Sequence, residues 1–207
     1  MKVLLLNGSP HANGTTYATL TVIQAQLRAS GIDSEVFQIG GKPIAGCIGC
    51  GACRKSGKCA FGEDGVNAFI EKAKGFDGYV FASPVHFASA SGAVTAFLDR
   101  GFCAANANFA YKPAATVAVA RRAGTTATLD QLNKYPLYAS MYLVGSRYWN
   151  MVHGAVPADI TKDEEGLLVM RALADNLAYL LKALEAAKIG GVPRPLLEPA
   201  VRTNFIK

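Results

Sequence analysis

Short aliphatic runs alternate with helical stripes along most of this chain. Lys2–Asn7 carries Val3-Leu4-Leu5-Leu6, an unbroken apolar run that predicts a strand buried on both faces. Thr16–Ala29 sets Leu20, Ile23 and Leu27 on one side at helical spacing. Glu35–Ile39 reads as a second strand and is followed by a cysteine-rich stretch. A helix over about residues 65–74 would turn Val66, Phe69, Ile70 and Ala73 inward, with Asp64 as its candidate N-cap. Gly78–Ser83 and Ala114–Ala120 read as strands three and four, and Met141–Val144 as a fifth. Ser91–Asp99 and Thr126–Leu137 read as helices. Glu164–Lys188 is a long helix with Leu173, Leu177, Leu180, Leu181 and Leu184 on one stripe, ended by Gly190-Gly191. From Val192 the chain is proline-rich and aperiodic, and no internal repeat or domain boundary interrupts it.

Alternating β and α elements need crossover connections, so the pattern predicts an α/β fold with a parallel sheet covered on both faces. In such sheets ligands bind beyond the carboxyl ends of the strands. The loops after strands one, three and four are therefore the ones to read for function. At 207 residues and 51% hydrophobic content the chain fits one folded domain. The opening apolar run is too short for a signal-peptide core, and no stretch reaches membrane-spanning length. The expectation is a soluble cytoplasmic protein with reduced thiols. A net charge of +6 without RGG tracts, zinc-finger spacing or RNP-like aromatics argues against nucleic acid. It suits phosphate-bearing cofactors or an acidic redox partner.

The first loop, Asn7-Gly8-Ser9-Pro10-His11-Ala12-Asn13-Gly14-Thr15-Thr16, runs from a buried strand into a helix. Gly8 and Gly14 permit tight turns, and Ser9, Asn13, Thr15 and Thr16 supply donors beside free helix N–H groups. That is an anion cradle without a required lysine. Neither the P-loop pattern nor G-x-G-x-x-G is present. The second loop, Ser83-Pro84-Val85-His86-Phe87-Ala88-Ser89-Ala90-Ser91-Gly92, suits a flat ring, with amides along its edge and Phe87 or His86 near its face. The third, Ala120-Arg121-Arg122-Ala123-Gly124-Thr125, offers flexible backbone and two cations. Taken singly, each also reads as an ordinary turn.

Four cysteines, Cys47, Cys50, Cys53 and Cys59, fall inside thirteen residues as C-x2-C-x2-C-x5-C. So many soft ligands on so little backbone suit a cluster of several irons. Zinc is served more naturally by two separated C-x2-C pairs. Zinc, a reversible disulfide and unliganded thiols stay open as alternatives. Gly46, Gly49, Gly51 and Gly57 let the loop turn sharply, and Arg54, Lys55 and Lys58 would offset cluster charge. Cys103 stands apart in sequence and reads as a small buried hydrophobe.

Together these segments resemble the flavodoxin-like NAD(P)H-dependent FMN reductases. The resemblance rests on Gly8-Ser9-Pro10…Gly14-Thr15-Thr16, on Ser83-Pro84-Val85-His86-Phe87…Ser91-Gly92 and on Asp99-Arg100. The four cysteines make the chain similar to the iron–sulfur flavoprotein branch, as do Asp130-Gln131-Leu132-Asn133 and Gly145-Ser146-Arg147-Tyr148-Trp149-Asn150. Relatives often pair acids shortly after the fourth cysteine; here one Glu63-Asp64 pair stands displaced.

The resemblance implies a doubly wound five-stranded parallel sheet, order 2-1-3-4-5, over residues 1–190. The cysteine-rich loop, residues 46–64, is inserted after strand two, and residues 191–207 form a tail. It implies bound FMN, with Ser9, His11, Asn13, Thr15 and Thr16 holding the phosphate around the Gly14 turn. Pro84, Val85, His86 and Phe87 would line the ring, and Arg121 and Gly124 would close the other side. Cys47, Cys50, Cys53 and Cys59 would ligate a [4Fe–4S] cluster, and the chain would form a homodimer or homotetramer. No Ser-His-Asp set or paired-carboxylate site is evident, so no catalytic side chain is expected and the flavin carries the chemistry.

Three functions follow. The first is an oxidoreductase taking hydride from NAD(P)H and reducing a quinone, nitro or azo compound, free flavin or metal. The second is a carrier of single electrons from a ferredoxin-like donor. The third is a non-catalytic module with structural zinc.

Overall fold

The structure, a computed structural model, describes residues 1–196 together with 198, 199, 201, 203 and 205. The elements run β1 (Lys2–Asn7), α1 (Thr15–Ala29), β2 (Asp33–Gln38), α2 (Cys53–Ser56), α3 (Val66–Ala73), β3 (Gly78–His86), β4 (Ser89–Ala90), α4 (Gly92–Ala105), β5 (Pro113–Ala120), α5 (Thr125–Tyr138), β6 (Tyr142–Leu143), β7 (Met151–His153) and α6 (Glu164–Ile189). Described residues of the tail form no helix or strand, and the rest of that segment lies outside the described residues.

The sheet order is β2-β1-β3-β5-β6, with all of these pairings parallel. This is the expected order 2-1-3-4-5 once the short β4 is counted. The count of five strands needs correction, because the described residues form seven. β4 folds back antiparallel on β3. The fifth position is shared by two short strands: β6 pairs with Pro113 and Ala114, and β7 pairs with Ala118–Ala120. The segment between them leaves the sheet and carries the exposed Tyr148–Trp149 pair.

Side chains alternate across each strand and so divide the core in two. Val3 and Leu5 of β1, Val80 and Ala82 of β3, and Val117 and Val119 of β5 face α1 and α6. There they meet Leu20, Ile23, Leu173 and Leu177. Leu4, Leu6, Tyr79, Phe81 and Ala114 face α3 and α4, where Phe69, Ile70, Val94, Phe97 and Phe102 complete an aromatic-rich layer. Phe102 and Phe109 stack at 4.7 Å between ring centroids. A continuous apolar run in β1 is thus what two helical layers require.

α4 extends beyond the expected Asp99 end, to Ala105. Its extra turns carry Arg100 and Cys103 toward the cysteine loop. Asp64 is not the N-cap of α3; Gly65 holds that position at φ +86°. The Asp64 carboxylate accepts from the Val66 N–H at 3.5 Å and pairs with Arg100. Among the described residues no helix is long and apolar enough to cross a membrane.

Candidate functional site

A cleft of about 740 Å³ opens at the carboxyl ends of β1, β3, β5 and β7. That volume is within the roughly 300–1,000 Å³ of small-molecule sites. Ser9, His11, Asn13, Gly14, Thr15 and Thr16 line one wall, Pro84, Val85 and His86 another, and Arg121 supplies a cation.

The first loop is held from below. Asn7 and Gln38 are register partners on β1 and β2, and their side chains hydrogen-bond to each other. Asn7 Oδ1 accepts from the Ser9 N–H at 3.2 Å, and Gln38 Nε2 donates to the Ser9 carbonyl at 2.6 Å. Ser9 Oγ accepts from the His11 N–H at 3.1 Å. Gly8 is required sterically, because a Cβ there would stand 2.3 Å from Val94 Cγ2 and 2.5 Å from the Ala82 carbonyl oxygen.

α1 begins at this loop with Gly14 as its N-cap, no capping side chain and no acidic residue in its first turn. Its leading N–H groups therefore face the cleft without a competing acceptor from a cap. The residues present fit a phosphate-bearing ligand.

The second segment is not a loop. β3 continues through Pro84 to His86, turns at Phe87 and Ala88, and returns as β4. Both turn residues have positive φ, 50° and 58°, as a two-residue hairpin turn demands. Gln131 of α5 anchors the return strand, its Oε1 accepting from Ser89 Oγ at 2.6 Å and from the Ala90 N–H at 3.0 Å. Phe87 consequently sits fully exposed at the tip and does not line the cleft.

Gly124 does not line it either. At φ +89° it packs under the hairpin, where a Cβ would come 2.6 Å from Ala88 Cα. Its role is to let the third loop seat against the turn. The missed wall is Gly154-Ala155-Val156-Pro157, after β7. The Gly154 N–H donates to the Ala120 carbonyl at 2.9 Å, and Asp159 accepts from the N–H groups of Ala155 and Val156. A glycine and a proline just after a three-residue strand were the available signal, too short to register as periodicity.

The cysteine loop forms a second, separate feature. Cys47, Cys50, Cys53 and Cys59 all line one small cavity of about 80 Å³, with Arg100 and Cys103. Gly49, Gly51 and Gly57 take positive φ at its turns. Asn67 of α3 pins the Cys59 backbone: its Oδ1 accepts from the Cys59 N–H at 2.8 Å, and its Nδ2 donates to the Cys59 carbonyl at 3.0 Å. Arg100 Nε donates to Cys59 Sγ at 3.1 Å.

Burial alone would raise the Asp64 carboxyl, but the hydrogen bond and charge of Arg100 outweigh it and hold the group below its ordinary range. Burial likewise opposes the Arg100 charge, and Asp64 and Cys59 more than restore it.

Soft thiols with N–H donation to sulfur are the donor chemistry of an iron–sulfur site. Among the described residues, however, no three His, Cys, Asp or Glu side chains are drawn close enough to hold a metal as they stand. Cys103 is not a buried hydrophobe, as its sequence position suggested. It is exposed and belongs to this thiol group.

The family described as NADPH-dependent FMN reductase matches residues 1–156. An iron-sulfur flavoprotein of Methanocaldococcus jannaschii is 31% identical over 198 residues, covering 89% of this chain and 100% of that protein. Among solved structures, a flavone reductase aligns with a TM-score of 0.70 at 18% identity, over 90% of this chain and 65% of that one. A flavodoxin from the domain Archaea aligns at 0.60 and 13% identity, over 88% and 99%. These two likenesses show a flavodoxin-like fold. The family match runs from β1 through Val156 and takes in every cleft-lining residue but Pro157, and the chain belongs to the NADPH-dependent FMN reductase family, in its iron–sulfur flavoprotein branch.

Proposed function

We propose that FMN binds in the 740 Å³ cleft and that this FMN-dependent oxidoreductase takes electrons from NAD(P)H for a small acceptor. The acceptor class is a quinone, a nitro or azo compound, free flavin or a metal ion. One observation carries the reading: the amino end of α1 opens on the cleft with neither a capping side chain nor an acid in its first turn. Ser9, His11, Asn13, Thr15 and Thr16 would hold the phosphate around the Gly14 turn. Pro84, Val85 and His86 would face the ring, and Arg121 would stabilise negative charge that develops on the ligand. FMN itself supplies the hydride and one-electron chemistry. The chain's own groups bind and orient it, and the Asn7–Gln38 pair keeps the phosphate loop in place.

A second reading is favoured by the cysteine cavity: a carrier of single electrons from a ferredoxin-like donor. Cys47, Cys50, Cys53 and Cys59 would hold a [4Fe–4S] cluster, with Arg100 donating to the Cys59 sulfur. The working form on either reading is a cytoplasmic homodimer or homotetramer. Anaerobic purification, followed by chromatography of the released flavin and analysis of iron, sulfide and zinc, tests both. Release of FMN, with NADPH or NADH oxidation driven by a quinone or nitro compound, supports the reductase. Released FAD, or no flavin at saturating FMN, overturns it. About four irons per chain support the carrier, as one cubane on four cysteines requires. Zinc or an empty loop in iron-replete protein removes it.

A further inference from the structure

The five thiols of this chain are one more than a four-cysteine site uses. The surplus one, Cys103, lies one turn beyond Arg100 on α4, so both project toward the cysteine loop. Cys53 Sγ lies 3.7 Å from the Cys103 carbonyl oxygen, as a donor to it, although the two residues are 50 apart in sequence. Both line the 80 Å³ cavity. The Cys53 thiol thus already meets the Cys103 residue at its backbone carbonyl, and a disulfide needs that sulfur to turn from the carbonyl to the Cys103 sulfur.

We propose that Cys103 is a resolving thiol: when the cavity holds no metal, it joins Cys53 in a reversible disulfide.

The oxidant is a hydroperoxide. The Cys53 sulfur attacks the terminal peroxide oxygen, forming an S–O bond and breaking O–O, and the expelled alkoxide leaves as the alcohol after taking a proton. The Cys103 sulfur then attacks the sulfenic sulfur of Cys53. The S–S bond forms, S–O breaks, and hydroxide leaves as water with the Cys103 proton. Two thiols lose two electrons in all, and one hydroperoxide becomes one alcohol and one water. A dithiol reverses the bond by exchange.

The product ties the loop to α4 and takes Cys53 out of the four-cysteine set, so oxidation and metal loading exclude each other. That exclusion rests on the cluster reading; the disulfide itself does not.

The test uses the full chain, stripped with a chelator under reductant and then treated with tert-butyl hydroperoxide. Alkylation and mass spectrometry under denaturing conditions should show two of the five thiols lost, and a non-reducing digest should yield a Cys53–Cys103 peptide pair. Cys103→Ser should abolish that pair and leave Cys53 as a sulfenic acid trapped by dimedone. An unchanged melting temperature would show that the variant is folded. A link between Cys47 and Cys50, or a Cys103 still fully alkylatable after oxidation, overturns the proposal. Reconstitution with ferrous iron and sulfide before oxidation should protect Cys103. Protein that takes up no iron yet forms the Cys53–Cys103 link keeps the disulfide and loses the cluster; protein that loads iron and never forms the link does the reverse.

Discussion

Arg100 Nε donates to Cys59 Sγ at 3.1 Å, from a side chain with no solvent exposure. Its remaining donors are also spoken for. Nη1 reaches the Ala45 carbonyl and Asp64 Oδ2, and Nη2 reaches the Phe61 carbonyl and Asp64 Oδ1. A guanidinium has five N–H groups, and a buried one needs each of them answered. The five partners span both ends of the cysteine loop, so one helical arginine closes it.

Arg100→Met should therefore do more than lose an ion pair. It leaves Asp64 unpaired and frees Ala45 and Phe61 together. Removing one partner of a buried pair costs about 3–5 kcal/mol. Chemical unfolding should show a loss of that order. The loop should also become accessible to protease between residues 45 and 61, which reports on Arg100 as its closure. A variant with unchanged stability and an uncut loop would mean that Asn67 alone holds the loop.

Asp64→Asn isolates the pH dependence of the same clamp. The folded carboxyl is held below its ordinary range by Arg100. A depressed carboxyl stabilises the fold at pH above its unfolded value, about 4, and that contribution is lost as pH falls through the folded value. The stability gap between wild type and Asp64→Asn should be full at neutral pH and close progressively below about pH 4. A gap that stays constant down to pH 2 would show that the carboxylate charge contributes nothing.

How much of this was legible beforehand follows from range of interaction. β1, β3 and β5 were visible because each is a run of apolar residues buried from two sides. Pro84 read as the end of β3, since proline donates no ladder bond. It is nevertheless paired in register with Val119, and the strand runs on to His86. That misplaced Phe87 from cleft wall to hairpin tip. Arg100 gave no sign of burial, because its partners lie 36 to 55 residues away along the chain. Cys103 was misjudged with it: once α4 continues past Asp99, the face that carries Arg100 also carries Cys103 toward the loop.

Gly8→Ala probes the seat of the first loop. The added methyl meets Val94 Cγ2 at 2.3 Å and the Ala82 carbonyl oxygen at 2.5 Å, and one of these contacts is backbone. Overpacking of this kind costs about 1–3 kcal/mol. The Gly8 N–H bond to Ala82, 2.9 Å, must lengthen as the loop lifts. Thermal unfolding should register the loss, and FMN affinity should fall with it. Wild-type stability would mean that β1 and β3 can part at this point.

Thr15→Asp separates ligand binding from folding. Thr15 is the first residue of α1, half-buried at the cleft wall. An acid in a first helical turn that has none should stabilise the empty protein by about 0.3–1 kcal/mol, through the helix dipole. The same charge should repel a phosphate held at that turn and replace a donor with an acceptor. A hydrogen bond to a charged group is worth roughly 1.5–3 kcal/mol. Its loss corresponds to a roughly ten- to hundredfold weaker FMN dissociation constant, at about 1.4 kcal/mol per decade. Thr15→Val removes the hydroxyl without adding charge and should weaken binding less. Flavin fluorescence titration beside thermal unfolding of the apoprotein checks the opposed signs. If Thr15→Asp binds FMN as wild type does, the phosphate does not sit at the amino end of α1, and the cleft reading loses its main support.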